Sequence, residues 1–560
     1  MKKTYFLTML FFAFITSNAQ LVSTTYRGAF APAPEAMWTD GWANFNPQNE
    51  VYPTPNIDVT ANIEANTTWT TGNTYHLKAQ IYVKNNAVLT IEPGVIIRGD
   101  YTAAGAGLFI TKGAKLNAIG TATSPIVFTS DKAPGSRLKG DWGGVILLGK
   151  ASYNSSNGIN FIEGIASSAD TEYGGGTNPD DNDNSGTLKY VRIEFAGYVY
   201  ANNQEINGLT FGAVGRGTTI DYVQVSHVND DSFEWFGGSV NCKHLISFRG
   251  LDDDFDTDFG YSGTVQFCLA VRDPAIADNP SVSTSEGFES DNNAAGDNSS
   301  PFTSAIFSNC TLIGPALRAT LANGGTMPTG AHKRAARIRK NSKLKIFNSI
   351  FMDFVEGLHV DNSGSAPNGA AELNALNNEL KFKNNILAGI TTSAKIVQIS
   401  TNGTHAAGFD IATWFNNSNN TGLATPISSS GLLASPYNTA DGSVYSGLDY
   451  RPGSASIAAT GADFSDASIV LSTTNLNEEK ATLKVYPNPF SESFKLQFSS
   501  SSSEDVKVVA YDVTGRTIET RDVNFADINN QELGSNYQSG MYIVVIKQGE
   551  ISKSFRVIKR

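Results

Sequence analysis

From residue 76 to about 400 the apolar positions fall in clusters of three to six, each closed by Gly, Pro or Asn. Helical spacing is nearly absent. The first clusters read Gln80-Ile81-Tyr82-Val83, Val88-Leu89-Thr90-Ile91, Leu108-Phe109-Ile110 and Pro125-Ile126-Val127-Phe128. Gly140-Asp141-Trp142-Gly143-Gly144-Val145-Ile146-Leu147 follows. They recur irregularly, every ~20 to 35 residues, which is the spacing of stacked coils. A strand this short cannot bury its inner face alone, so each coil must pack on its neighbours. Later coils place Asn at one register in Phe307-Ser308-Asn309-Cys310, Ile346-Phe347-Asn348-Ser349 and Phe382-Lys383-Asn384-Asn385. Stacked Asn side chains can hydrogen-bond along such an axis. The expected fold is all-β: a right-handed parallel β-helix over 76–465. Residues 20–75, with Trp38, Trp42 and Trp69, are expected to cap its first coil.

The central coils align on one apolar residue. Asp231-Ser232-Phe233-Glu234, Asp253-Asp254-Phe255-Asp256, Glu286-Gly287-Phe288-Glu289 and Glu356-Gly357-Leu358-His359 share this pattern, with Asp258, Asp291 and Asp361 two residues further on. Arg337-Ile338-Arg339-Lys340 is expected in the same register, with Ile338 on the apolar position. Strand alternation would point the shared apolar residue inward and its flanking charges outward, about 4.8 Å from those of the next coil. Like charges at that distance repel by about 1 kcal/mol in water and about 3.5 kcal/mol at an effective dielectric of 20. Something must offset a column of such pairs.

Three offsets are chemically available. The acids are solvated or paired with Arg337, Arg339 and Lys340. Alternatively Asp254, Asp256, Asp258 and Asp291 hold calcium, a hard cation that takes several carboxylate oxygens. The run Asp252-Asp253-Asp254-Phe255-Asp256-Thr257-Asp258-Phe259 is dense enough, although Phe259 stands where an EF-hand loop counted from Asp254 needs Gly. In the third case the column binds or cuts a glycan, with Glu234, Glu286, Glu289, Arg337, His359 and Trp235 as ligand contacts.

The Leu-Thr-Ile-Glu-Pro-Gly run and the Pro-Ile-Val-Phe-Thr-Ser run resemble bacterial proteins of the pectin-lyase-like superfamily, a scaffold shared by lyases, hydrolases, adhesins and surface fibres. Asn229-Asp230-Asp231-Ser232-Phe233-Glu234, Asp252-Asp253 and Arg337-Ile338-Arg339 loosely resemble the ordered motifs of polygalacturonase-type glycosidases. That resemblance implies Asp252 as general acid, Asp231 and Asp253 as base, and Arg337 and Arg339 on a uronate. Glu286 stands near the family's histidine position. A lyase variant would use Arg339 as base, with calcium on Asp231, Asp253 and Glu289.

Composition shifts the balance toward binding. Charged residues are 17% and Gly numbers 52, which suits turns and short strands. A net charge of -12 disfavours nucleic acid and anionic membranes, and favours cations or neutral glycans. Cys242, Cys268 and Cys310 sit in strand-like runs and are expected as buried thiols. Of the six His, His227, His244, His332 and His359 do not cluster at metal-ligand spacing.

The ends carry addresses. Lys2 and Lys3, an apolar run from Tyr5 to Ile15, and Ser17-Asn18-Ala19 form the pattern of a signal peptide over 1–19. No transmembrane segment is expected. Leu483-Lys484-Val485-Tyr486-Pro487-Asn488-Pro489-Phe490, then Asp512-Val513-Thr514-Gly515-Arg516, then Gly540-Met541-Tyr542-Ile543-Val544-Val545, then a basic end at Arg556, Lys559 and Arg560 resemble the type A C-terminal sorting domain of the Bacteroidetes type IX secretion system. It implies a small β-sandwich over 483–560, joined by a linker at 466–482. It also implies recognition by the secretion machinery and its sortase, location at the outer-membrane exterior, and transfer of the cargo to surface lipopolysaccharide. The expected role is a calcium-stabilised, glycan- or nutrient-binding surface protein. A polysaccharide hydrolase or lyase, and a structural coat or adhesin, are the alternatives.

Overall fold

The computed structural model describes residues 21–201, 204–278, 284–315, 332–400, 404–424, 429–437, 447–469, 482–499, 505–512, 516–548 and 551–560. The expected signal peptide and most of the expected linker lie outside them. The chain divides into two units, Met1–Phe464 and Ser465–Arg560.

The first unit is the expected parallel β-helix. Each coil gives a short strand to a 10-stranded parallel sheet, and longer strands to a 17-stranded one. The longer strands bend at one residue with positive φ. These residues stack coil on coil as Tyr190, Tyr222, His244, Phe267, Asn309, Asn348, Asn384 and Asn419, with φ of 51 to 61°. Asn tolerates the left-handed region best among residues with a Cβ, because its short side chain hydrogen-bonds locally. Its amide also links coils: Asn384 Nδ2 donates to Asn348 Oδ1 at 2.7 Å. The aromatic members offset the strain by stacking, with ring centroids 4.4 Å apart for Tyr190–Tyr222 and 4.2 Å for Tyr222–His244.

Inside, one apolar column of the 10-stranded sheet runs through Leu209, Phe233, Phe255 and Phe288, all fully buried. Phe233, Phe255 and Phe288 stack at 5.7 and 5.2 Å. Full burial of each such ring is worth about 1.5–3 kcal/mol. Cys242, Cys268 and Cys310 are buried free thiols in the same core. At the far end Phe415 of the helix Ile411–Asn417, capped by Asp410, stacks on Phe382 and closes the last coil.

Residues 20–75 divide in two. Residues 57–75 are already coil, with Trp69 in the core on Tyr75. Residues 21–56 form an extended strap along the outer face of the 17-stranded sheet. Buried side-chain amides hold its backbone. Gln266 accepts from Val22 N and donates to Val22 O, and Gln224 does the same for Asn44, with distances of 2.7 to 2.8 Å. Trp38 and Trp42 pack over Tyr222 and Tyr190 rather than over an open end. Residues 447–464 return along this side and pair with the strap, Arg27 N with Ala458 O and Ala462 N with Thr25 O.

The second unit is a small β-sandwich beginning at Thr482, with a 3-stranded and a 4-stranded antiparallel sheet. Phe490, Phe494, Leu496, Val508, Val544 and Val557 form its core. No helix among the described residues is long and apolar enough to cross a membrane.

Candidate cation and ligand site

The outward side of the 10-stranded sheet carries the chemistry. In register its central column reads Thr210, Glu234, Asp256, Glu289, Arg337, His359 and Gln398. A second outward column sets Phe236 beside Asp258, and Arg339 beside Asp361. Arg337 therefore takes the position of the acids after the apolar residue, and Ala336 pairs with Leu358 on the apolar position. The expected register for Arg337–Lys340 was two residues out. A slip of two preserves which face a side chain occupies, so the arginines still point outward.

The acids preceding the apolar residue behave differently from those following it. Asp231, Asp253 and Glu286 are 6%, 4% and 0% exposed. They form a ladder along the corner: Asp231 Oδ1 accepts from Asp253 N at 2.8 Å, Asp253 Oδ1 from Glu286 N at 2.6 Å, and Glu286 Oε2 from Arg334 N at 2.8 Å. Each carboxylate thus satisfies a backbone donor of the next coil, as a buried N–H requires. Glu286 is further neutralised by Arg334 Nη1 at 2.7 Å.

Two expected site residues point into the core instead. Trp235, expected on a glycan surface, is fully buried and stacked on Phe211 and Tyr261. Asp254, expected on a metal, is fully buried. It accepts from Ser247 Oγ at 2.5 Å and from Arg272 Nε at 2.9 Å. Trp235 follows the inward Phe233 by two residues, so alternation turns it inward too, whereas Asp254 lies in the bend before the strand Phe255–Asp258, where alternation does not hold.

The basic residues occupy the C-terminal part of the face, each engaged. Arg337 binds Asp361 at 2.8 Å and Glu289 at 3.3 Å; Arg339 binds Asp291 at 2.6 Å and also Glu289; Lys340 binds Asp291 at 2.8 Å. Burial pulls the Arg339 guanidinium down, but Glu289 and Asp291 outweigh it and hold it above its ordinary value. A charged, doubly paired Arg339 is no general base in this arrangement. His359 lies beyond Arg337, and burial lowers it to about 4, so it is neutral near pH 7.

The N-terminal part is acidic, and only Asp256 and Asp258, nearest the basic part, feel a partial offset from Arg339 and, at Asp258, Lys340. Among the described residues Asp230, Asp231, Glu234, Asp253, Asp256 and Asp258 form no ion pair. Burial raises all six well above the carboxylate range. Neighbouring acids add to this: Asp252 and Glu205 at Asp230, Asp230 and Asp256 at Asp231, Asp231 at Glu234, Asp252 at Asp253, Glu289 at Asp256 and Asp291 at Asp258. Burial also lifts Glu289 to about 7, against the pull of Arg339 and Arg337. Two overlapping triads stand out, Asp231–Asp253–Asp256 and Asp230–Asp231–Asp252, each offering oxygens within 4.8 Å of one another. Asn207, 4% exposed, lies against Glu234. Its Nδ2 donates to Glu234, and its Oδ1 is enclosed without a partner.

Parallel strands in register, an acid-lined outer face and coils that share one core are the marks of one scaffold. Residues 61–429 match the pectate-lyase-like β-helix domain, two thirds of the chain. The chain belongs to this family. Residues 484–560 match the secretion system C-terminal sorting domain. Type IX export to the cell surface or extracellular space follows, and the second unit is the part the secretion machinery engages. Comparison with curated proteins and with solved structures gives no match.

The structure thus brings Asp231, Glu234, Asp252, Asp253, Asp256 and Glu289 to one place. Asp258, Asp291, Arg337 and Arg339 stand beside them, and Trp235 and Asp254 are set apart. Asp230 and Asn207 were missed as site residues. Asp230 was legible as the neighbour of Asp231. Asn207 lies one coil away and carries no local signal.

Proposed function

We propose that this exported β-helix protein binds a divalent cation on its carboxylate face and uses that face to hold a glycan or nutrient at the cell exterior. The observation that carries the reading is the Asp231–Asp253–Asp256 triad, with oxygens within 4.8 Å and no ion pair. Calcium contacts oxygens at 2.3–2.6 Å, so two ligands across one ion stand up to ~5 Å apart. Asp231 and Asp253 each spend one oxygen on the backbone ladder and keep the other. Asp256 Oδ1 is an enclosed acceptor without a donor, the type of oxygen a hard cation takes. Sorting-domain removal by the sortase and attachment to surface lipopolysaccharide belong to the same reading.

Calcium titration followed by thermal melting tests it. A ligand at a hundred times its Kd stabilises the fold by about 2.7 kcal/mol. Calcium should therefore raise the melting temperature, a chelator should reverse the gain, and Asp256→Asn should abolish the response. A melt unchanged by calcium in the native protein removes the metal. Polysaccharide retention assays should record reducing and unsaturated ends alongside, since cleavage would turn the face into an active site.

A further inference from the structure

We propose that a small anion, a halide such as chloride, sits beneath the strap at Arg137 and Arg98 and pins residues 47–53 to the β-helix. Arg98 stands on the strand Ile96–Gly99 of the 17-stranded sheet, and Arg137 on the connection between Ile126–Ser130 and Val145–Leu148. The strap crosses both. Arg98 Nη1 donates to the Pro53 carbonyl at 3.2 Å and Arg137 Nη1 to the Pro47 carbonyl at 2.8 Å, while Gly135 N donates to the Gln48 carbonyl at 2.7 Å. The Tyr52 ring centroid lies 4.9 Å from the Arg137 guanidinium carbon. Under this cover Arg98 is 7% exposed and Arg137 1%.

Carbonyls satisfy donors without bringing a charge, and a guanidinium stays charged in a protein. A buried charge left without a partner is costly. The acids of this region are committed elsewhere. Glu194 accepts from Tyr52 Oη at 2.9 and 3.0 Å and faces Arg192 Nε at 3.7 Å. Asp131 faces His76 at 3.0 Å, and Asp141 holds Lys132 at 2.5 Å. Glu194 feels the Arg137 charge through space, yet Arg137 forms no ion pair among the described residues. Burial works against the charge on Arg98, and the nearby Arg137 charge adds to this and outweighs the pull of Asp131.

The donors mark where the counter-charge belongs. Nε and Nη2 form the edge of a guanidinium that grips an anion through two parallel bonds. On Arg137 both are enclosed and meet no acceptor in the protein, and Arg98 Nε is a third such donor. A neutral acceptor would supply the bonds and leave the two positive charges unbalanced. The strap closes over both side chains, which restricts the ion to the monatomic class.

Bromide substitutes for chloride and scatters anomalously, so crystals of the full-length protein grown in bromide test the position directly. An anomalous peak is expected at the Nε and Nη2 edge of Arg137; water density there with no anomalous signal would overturn the inference. In solution, raising chloride about a hundredfold at constant ionic strength, with gluconate as the replacement, should raise the melting temperature by about 3 °C and slow amide exchange over residues 47–53. Arg137→Met should lose this dependence, and Arg137→Lys, which keeps a charge but lacks the paired donors, should weaken it. Lys115→Gln, which removes a half-buried charge from the same sheet, should keep it. An equal chloride dependence in the native protein and Arg137→Met would reduce the effect to general salt and overturn the inference. If Arg137→Met does not fold, the bromide peak in the native protein still decides.

Discussion

Replacing Arg272 by methionine should destabilise the β-helix by about 3–5 kcal/mol, the cost of stranding one member of a buried ion pair. Arg272 is 1% exposed and its partner Asp254 is 0% exposed. The guanidinium meets Asp254 Oδ2 at 2.9 Å and donates a further bond to the Glu286 carbonyl. Methionine approximates the stem volume, so cavity formation contributes little and the loss is mainly electrostatic. Asp254 would keep Ser247 as a donor and nothing to balance its charge. Burial already raises its carboxyl, and Arg272 pulls it back. Without Arg272 it should take up a proton, which makes the penalty larger at pH 8 than at pH 5. The double variant Arg272→Met, Asp254→Leu should recover most of the loss, since an apolar pair can replace a buried ion pair at little cost. Urea unfolding followed by tryptophan emission reads the β-helix alone, because all six Trp lie between Trp38 and Trp414. A single-variant loss below about 1 kcal/mol, equal at both pH values, would refute a stranded buried charge.

Other outcomes follow from the same contacts. Gln266→Ala removes two bonds to the strap, worth about 1 kcal/mol each. Amide exchange should rise around residues 22–30 while the core strands stay protected, and unchanged exchange there would mean the amide clamp holds nothing. Burial pushes Asp353 up to about 7, against donors from Ser429 and Tyr437. A folded value above the unfolded one means its contribution is complete below about pH 4 and is lost as pH rises through 7. Asp353→Asn should therefore gain melting temperature over the native protein between pH 4 and pH 8, and a difference that does not change with pH would exclude the effect. His227, lowered by burial to about 3, works the other way: its contribution is complete above about pH 6.5 and is lost toward pH 3.

Much of the architecture was legible because local patterning and solenoid stacking coincide. Short strands closed by Gly, Pro and Asn cannot bury one face alone, so repetition implied coils, and the four-landmark tail announced the second unit. The acidic site was legible as a column, since residues at equal offsets from Phe233, Phe255 and Phe288 must stack when those rings do. What each acid does depended on neighbours far away in the chain. Asp231 and Asp253 stand two residues before the shared Phe and cap backbone donors of the next coil, while Asp256, one residue after it, keeps an oxygen without a donor. Asp254 is neutralised by Arg272, Trp235 faces the core, and Arg337 slips two residues in register. The strap shows the same limit: Trp38 and Trp42 read as a cap, whereas Gln224 and Gln266, unremarkable in sequence, bind its backbone. Periodicity along a chain determines which side chains can stack, because it is set by local geometry. Charge balance depends on which distant groups share a low-dielectric space, and only the folded coils bring them together.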